Sequence, residues 1–113
     1  MGKRRMPEVV VHDLDEARAA LAEAARDGAA IQLRSAPDAA AYAGIGYLQA
    51  LGGAVGHELL IDCGEDAGLV MAALRSGCRK LAFSGSRATA AKLADMAAEL
   101  GAELRHEAVA GGT

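Results

Sequence analysis

The chain alternates between short apolar segments and longer stretches in which apolar residues recur at helical spacing. Five segments are apolar, rich in aliphatic or β-branched residues, and bounded by polar residues or glycine, which is typical of strands. We therefore predict strands at 8–12, 29–34, 57–62, 79–83 and 103–106.

Helices are predicted in all four intervals, at 13–26, 37–51, 66–75 and 86–100. In the first, Leu14, Ala17 and Leu21 recur on one face, as in an amphipathic helix. Asp13 is suited to cap that helix, and Pro37 is favoured in the first turn of the second. Gly44 and Gly46 lie inside the second predicted helix, where they indicate close packing or a local break.

Strict alternation of strands and helices with short connections implies parallel strands joined by right-handed crossovers. We expect an α/β fold with a five-stranded, mostly parallel sheet and helices on both faces. The flavodoxin-like or receiver-like strand order 2-1-3-4-5 is favoured. The alternative is half of a (βα)8 barrel, which would need to dimerise or pair with a partner to hide its open edges.

One domain accounts for the length of 113 residues. We assign it to 7–107, with a flexible basic tail at 1–6 and a frayed C-terminus at 108–113. The chain has 28 alanines, 14 glycines and no tryptophan, so its core depends on close backbone approach.

Charge and hydropathy exclude several classes of partner. The net charge of −3 argues against a nucleic-acid-binding surface, and the basic run Lys3-Arg4-Arg5 is expected to be solvated. Without an apolar run of signal-peptide or membrane-spanning length, we expect a cytoplasmic protein that does not bind membranes.

No metal or cofactor site is expected from the motifs. The two cysteines are too few for a disulfide scaffold and are interpreted as reduced thiols. The three histidines have no metal-binding spacing, and no phosphate-binding GxxxxGK[ST] motif is present.

Polar residues follow four of the predicted strands. Because ligands of parallel α/β folds bind at the carboxyl ends of the strands, these residues are the candidate ligand-binding set. It consists of His12, Asp13, Arg34, Ser35, Asp62, Cys63, Ser84, Ser86 and Arg87.

The turn Ser84-Gly85-Ser86 has the most specific chemistry of this set. Gly85 permits close approach of a ligand, and the first N–H groups of the following helix favour an anion. Arg87 and Arg34 would add positive charge around a phosphate or carboxylate. The structural alternative is that Ser84 or Ser86 only caps the helix.

Cys63 is a candidate nucleophile if His12 acts as its base. Cysteine is also a common small buried residue, and His12 and Asp13 are equally compatible with structural roles as a rim histidine and a helix cap.

The layout resembles that of response-regulator receiver domains. Val9-Val10-Val11-His12-Asp13 is similar to their first strand with its acidic pair, although His12 replaces the first acid. Asp62 stands at the position of the phospho-accepting aspartate, and Ser84-Gly85 resembles the hydroxyl and small-residue pair after the fourth strand. Where that family has a Lys-Pro pair, this chain has Arg105-His106-Glu107. The Ser84-Gly85-Ser86 turn also resembles a phosphate-binding loop of (βα)8 enzymes.

Polar residues that converge without a complete catalytic set favour a non-catalytic binding module. It would recognise a small anionic ligand or a partner protein at the carboxyl edge of the sheet. The alternative is an enzyme that uses Cys63 and His12, or a degenerate receiver-like phosphoacceptor at Asp62. A third hypothesis is a structural subunit that gains stability as a homodimer.

Overall fold

The structure is a computed structural model that describes residues 6–107, so residues 1–5 of the predicted tail and the predicted frayed end at 108–113 lie outside the described residues. It has five strands: β1 (Glu8–Val11), β2 (Gln32–Ser35), β3 (Ile61–Asp62), β4 (Lys80–Phe83) and β5 (Glu103–His106). It has five helices: α1 (Leu14–Arg26), α2 (Ala39–Tyr42), α3 (Ile45–Val55), α4 (Ala67–Arg75) and α5 (Arg87–Glu99). The predicted mixture of helices and parallel strands is confirmed.

Side-chain caps set the start of three helices. In each case a carboxylate or hydroxyl oxygen accepts a hydrogen bond from the backbone N–H three residues further on, which satisfies one donor of the open helix end. The three caps are Asp13 for α1, Asp66 for α4 and Ser86 for α5. The cap roles considered for Asp13 and Ser86 are therefore confirmed.

The second predicted helix is divided into α2 and α3. Gly44, which precedes α3, has a φ of +94°, a backbone conformation that interrupts a right-handed helix and that glycine tolerates best. Gly46 follows inside the first turn of α3. The glycines at 44 and 46 therefore mark a break, one of the two outcomes expected for them.

The strands β2 and β3 begin later than predicted because the first residues of each predicted segment bond to the end of the preceding helix. Ala29 donates its N–H to Ala24 O at the end of α1, and β2 begins only at Gln32. Likewise, His57 donates its N–H to Gly52 O at the end of α3, and β3 comprises only Ile61 and Asp62.

The strands form two small parallel sheets, β1-β2 and β3-β4-β5, so a single sheet in the order 2-1-3-4-5 is not confirmed. An isolated parallel bridge joins Arg34 of β2 to Leu60, the residue before β3. Leu60 donates its N–H to Leu33 O at 2.9 Å and accepts from Ser35 N at 3.0 Å. This contact places β2, rather than β1, beside β3.

Alternate strand residues lie on two chemically different faces. On the apolar face, strand residues such as Leu33, Ile61 and Leu81 form one core with buried residues of the helices, including Val70 and Leu93. Helices on both faces are therefore not confirmed, because the intervening strand residues do not join this core. Those residues form the charged face, which includes Glu8, Arg34, Asp62 and Arg105.

No helix within residues 6–107 combines the length and the apolar character needed to cross a membrane.

Candidate functional site

Five charged side chains meet on the charged face of the strands, and we call them the charged cluster. Four of them come from the strands β1, β2, β3 and β5, and the fifth is the residue directly after β5, so distant parts of the chain supply them. The members are Glu8, Arg34, Asp62, Arg105 and Glu107.

Arg34 has the largest number of ionic partners in this cluster. Its Nη2 lies 2.6 Å from Glu107 Oε1 and 2.9 Å from Asp62 Oδ2, and its Nη1 lies 3.1 Å from Glu8 Oε1. Only 13% of its side chain is exposed. Because carboxylates already surround this guanidinium, an anionic ligand would have to displace at least one of them.

Arg105 links Glu8 and Glu107 from the other side. Its Nη1 lies 2.5 Å from Glu8 Oε2, and its Nε donates to Glu107 Oε2 at 2.8 Å. Two guanidinium groups therefore face three carboxylates, counting Asp62. The charged cluster carries one net negative charge when every member is ionised.

The ion pairs shift the ionisation of the cluster toward the charged forms. Hydrogen bonds from Arg34, followed by those from Arg105, lower the pKa of Glu107 to about 2, and burial opposes this effect. The hydrogen bond from Arg105 is the largest cause of the lowered pKa of Glu8. Hydrogen bonds to Glu107 raise the pKa of Arg34. Glu8, Arg34 and Glu107 are therefore held in their charged forms at neutral pH.

The structure brings together three of the nine residues predicted to bind a ligand. Asp62 pairs with Arg34, and its backbone N–H donates to Ser35 Oγ at 2.9 Å. The Ser35 side chain lies on the opposite, apolar face, where the residue is completely buried. Ser35 therefore anchors the last residue of β3, and only Arg34 and Asp62 share a surface.

His12 and Asp13 are engaged with the first turn of α1. Asp13 accepts from Glu16 N at 2.8 Å, while Glu16 Oε1 lies 2.9 Å from His12 Nδ1 and accepts the His12 backbone N–H at 2.7 Å. No hydrogen bond or ion pair joins His12 to Cys63 within residues 6–107. These contacts agree with structural roles for both residues, Asp13 as a helix cap and His12 as a rim histidine.

Cys63 faces the core and is only 2% exposed. Burial, together with the nearby carboxylate of Asp62, raises the pKa of its thiol to about 12. Its Sγ lies 3.9 Å from Ile61 O, so the thiol is directed toward backbone. A protonated, buried thiol is poorly suited to nucleophilic attack.

The turn at 84–87 is organised by its own packing. A Cβ at Gly85 would lie 2.4 Å from Phe83 Cζ, so the absence of a side chain makes room for this buried ring. Gly85 O lies 2.7 Å from His106 Nε2, and Ser86 Oγ accepts from Thr89 N at 3.1 Å. No hydrogen bond or ion pair in the described part of the chain connects Arg34 with this turn.

An open groove of about 710 Å³ lies at the carboxyl ends of β2 and β3. We call it the carboxyl-edge groove, and its lining residues come from the start of α2 and from the loop that leads into α4. Three of them carry carboxylates, and others are apolar. They include Asp38, Glu65, Asp66, Pro37, Ala41 and Leu69. The sequence interpretation located this edge and included one of the lining residues, Cys63, but none of the six named here.

A second cavity, of about 320 Å³, lies at the opposite edge of the sheet between α3 and β3. Its lining is mainly apolar and includes Gly52, Gly53, Leu59 and Cys78. His57 also lines it and accepts the backbone N–H of Leu33 at 3.2 Å. The sequence analysis did not predict this cavity.

Sequence reasoning also missed Glu8, Arg105 and Glu107. Arg105 and Glu107 are two residues apart, a spacing that places both side chains on one face of a strand. This two-residue spacing was the signal in the sequence that could have identified Arg105 and Glu107 as neighbours on one face. Among residues 6–107, no group of three or more His, Cys, Asp or Glu residues is arranged to hold a metal ion.

Comparison with protein-family models, curated proteins and solved structures finds no match to this chain.

Proposed function

We propose that the protein is a non-catalytic binding module that holds a basic segment of a partner protein in the carboxyl-edge groove. The observation that carries this proposal is the groove itself. Its volume of about 710 Å³ falls within the range typical of binding clefts, and it lies at the strand ends where α/β folds bind ligands.

The chemistry of the groove favours a basic partner. Asp38 and Glu65 are exposed, and the Asp38 side chain makes no cap hydrogen bond with α2. Its carboxylate is therefore available for a Lys or Arg side chain. Ala41 and Leu69 add apolar surface, which suits the aliphatic stems of those residues.

A small anionic ligand has weaker support. Arg34 is already paired with Glu107, Asp62 and Glu8, and the Ser86 hydroxyl is used in the cap of α5. Among the predicted residues of this edge, the hydroxyl of Ser84 and the exposed guanidinium of Arg87 make no hydrogen bond or ion pair within residues 6–107. Inorganic phosphate is therefore a useful second probe of the same edge.

The enzyme alternatives have less support still. Cys63 is buried with a raised thiol pKa. Both oxygens of Asp62 are engaged, Oδ2 with Arg34 and Oδ1 with the backbone N–H of Gly64 at 2.9 Å. Phosphorylation at Asp62 would have to break these contacts.

The finer architecture that we propose is one curled sheet with the strands in chain order, as in half of a (βα)8 barrel. Four strand spacings at about 4.8 Å would separate β1 from β5 by roughly 19 Å in a flat sheet. Extended Arg and Glu side chains join Cα atoms less than about 15 Å apart. The ion pair between Glu8 and Arg105 therefore supports strong curling, and the Arg34–Leu60 bridge supports the strand order.

Titration of the ¹⁵N-labelled protein with a Lys/Arg-rich peptide tests the binding proposal. We expect amide shifts at Asp38, Gly64, Glu65 and Gly68, and none with an Asp/Glu peptide of equal length. Inorganic phosphate should leave these amides unchanged. Phosphate-induced shifts at 84–87 would instead support the anionic ligand.

Two charge-reversal variants supply the matched comparison. Asp38→Lys lies in the groove, and Asp95→Lys makes the same charge change at an exposed position of α5. We expect the first to weaken peptide binding at least tenfold and the second to have little effect. Equal weakening by both, or no shifts at millimolar peptide, would contradict the proposed groove.

A further inference from the structure

We propose that a second copy of this chain docks on the open edges of β1 and β5, so that the strands of the two copies form shared sheets. Within residues 6–107, each of these strands has a neighbouring strand on one side only. Unpaired strand edges are templates for parallel or antiparallel addition of another strand.

The direction of the backbone groups identifies the donors and acceptors at these edges. Glu103 and Glu107 donate their N–H groups to Arg79 O and Phe83 O, toward β4. Because the direction alternates along a parallel strand, the N–H and C=O groups of Leu104 and His106 point away from β4.

The same alternation applies to β1. Pro7 O accepts from Gln32 N, so odd-numbered residues of this segment direct their backbone groups toward β2. The groups of Glu8 and Val10 therefore point outward. β5 of one copy can pair in parallel with β1 of the other, with His106 opposite Val9 and Arg105 opposite Glu8.

Charge complementarity favours this register. Arg105 and Glu8 lie on the charged face of their strands and already form an ion pair within one chain. In the proposed register, Arg105 faces Glu8 of the second copy, so the same pairing is available between chains. The apolar side chain of Val9 remains on the apolar face.

Four of the six large apolar side chains that are exposed within residues 6–107 belong to β1, to α5 or to residues beside them. Met6 and Val10 are each 45% exposed beside or within β1. Met96 and Leu100, which precede β5 on or next to α5, are 40% and 61% exposed. A two-fold arrangement would join β5 to β1 twice and cover both ends at once.

Sedimentation velocity and amide hydrogen exchange of the full chain test this proposal together. We expect about twice the chain mass of 11.5 kDa, with the Leu104 and His106 amides protected despite having no acceptor within residues 6–107. A monomer at millimolar concentration with unprotected amides would overturn it. Protected amides in a monomer would also overturn it, since another part of the chain would then cover the edge.

Two lysine variants separate edge docking from general surface effects. Leu100→Lys places a charge at an exposed position three residues before β5, whereas Tyr42→Lys changes a residue that is 72% exposed on α2. We expect the first to raise the dimer dissociation constant at least tenfold and the second to leave it unchanged, with both variants folded by circular dichroism. Equal dissociation constants for the two variants would contradict docking at this edge.

Discussion

Arg34 and Glu107 form a two-point ion pair across the charged face, although 73 positions separate them in the chain. Nη2 of Arg34 lies 2.6 Å from Oε1, and Nη1 lies 2.8 Å from Oε2. Such parallel contacts fix the relative orientation of both groups. This pair therefore connects β2 directly to the residue that follows β5.

Replacing Arg34 with Met should destabilise the fold. The change leaves three carboxylates close together with Arg105 as their one remaining guanidinium, and Asp62 loses its ionic partner. An unpaired carboxylate in a partly buried place is costly. We expect the free energy of unfolding to fall by about 2–4 kcal/mol, measured by urea denaturation at pH 7. Arg87→Met removes the same group from an exposed helix turn and should change it by less than about 0.5 kcal/mol. Similar losses in both variants would show that the charged cluster has no special role.

Acid should weaken the fold through Glu107. Its pKa of about 2 in the folded protein lies below the ordinary value of 4.5, so the unfolded chain binds a proton first as the pH falls. The stabilisation is fully present above about pH 4.5 and disappears as the pH falls toward 2. Urea denaturation between pH 6 and pH 2.5 should show this loss, and Glu107→Gln should show a flatter profile over the same interval. Parallel profiles for the two proteins would contradict the assignment.

The sequence predicted the features that depend on neighbouring residues, such as helix caps, better than those that depend on contacts between distant residues, such as the order of the strands. Asp13 and Ser86 cap helices through N–H groups three residues away, so their roles follow from short-range spacing. The order of the strands depends instead on contacts such as the Arg34–Leu60 bridge, which propensity and periodicity do not encode.

The candidate site was predicted only in part for a related reason. Arg34 and Asp62 were recognised because each lies at the carboxyl end of a strand. Their partners Glu8 and Glu107 come from the beginning of β1 and from beyond β5, and they meet only when the strands are assembled. The face of the sheet on which a side chain lies also decides whether it can reach a ligand. Ser35 and Cys63 follow the same pattern in the sequence as Arg34 and Asp62, but their side chains face the core.

A decrease in pH from 7.5 to 5.5 should destabilise the protein through His57. Burial, and secondarily the charge of Lys80, lowers the pKa of this ring in the folded state. The unfolded chain therefore takes up the proton more readily, and stability present above about pH 6.5 falls as the pH decreases. His57→Gln can still accept the Leu33 N–H but does not titrate. Its unfolding free energy should change less between these two pH values, and an equal change would contradict the role of His57.

Gly85→Ala should lower stability, whereas Gly53→Ala should not. The new Cβ at position 85 would lie 2.4 Å from the ring of Phe83, which is only 2% exposed and cannot move aside easily. Overpacking of this kind costs about 1–3 kcal/mol. A Cβ at Gly53 meets no atom within 4 Å, and alanine stabilises a helix interior by roughly 0.5–1 kcal/mol. Thermal unfolding of the two variants would show shifts of opposite sign; a tolerated Gly85→Ala would mean that the turn can move away from Phe83.

The thiol of Cys63 should be inert toward iodoacetamide in the folded protein. Burial raises its pKa to about 12, so the reactive thiolate is scarce at neutral pH and the side chain is also shielded from the reagent. Mass spectrometry after brief alkylation at pH 7.5 should find Cys63 unmodified, and modification should follow only after unfolding in urea. Cys78, which is also buried with a raised thiol pKa, is an internal comparison in the same digest. Rapid, selective labelling of Cys63 would instead show an activated thiolate and would favour the enzyme alternative over the binding module.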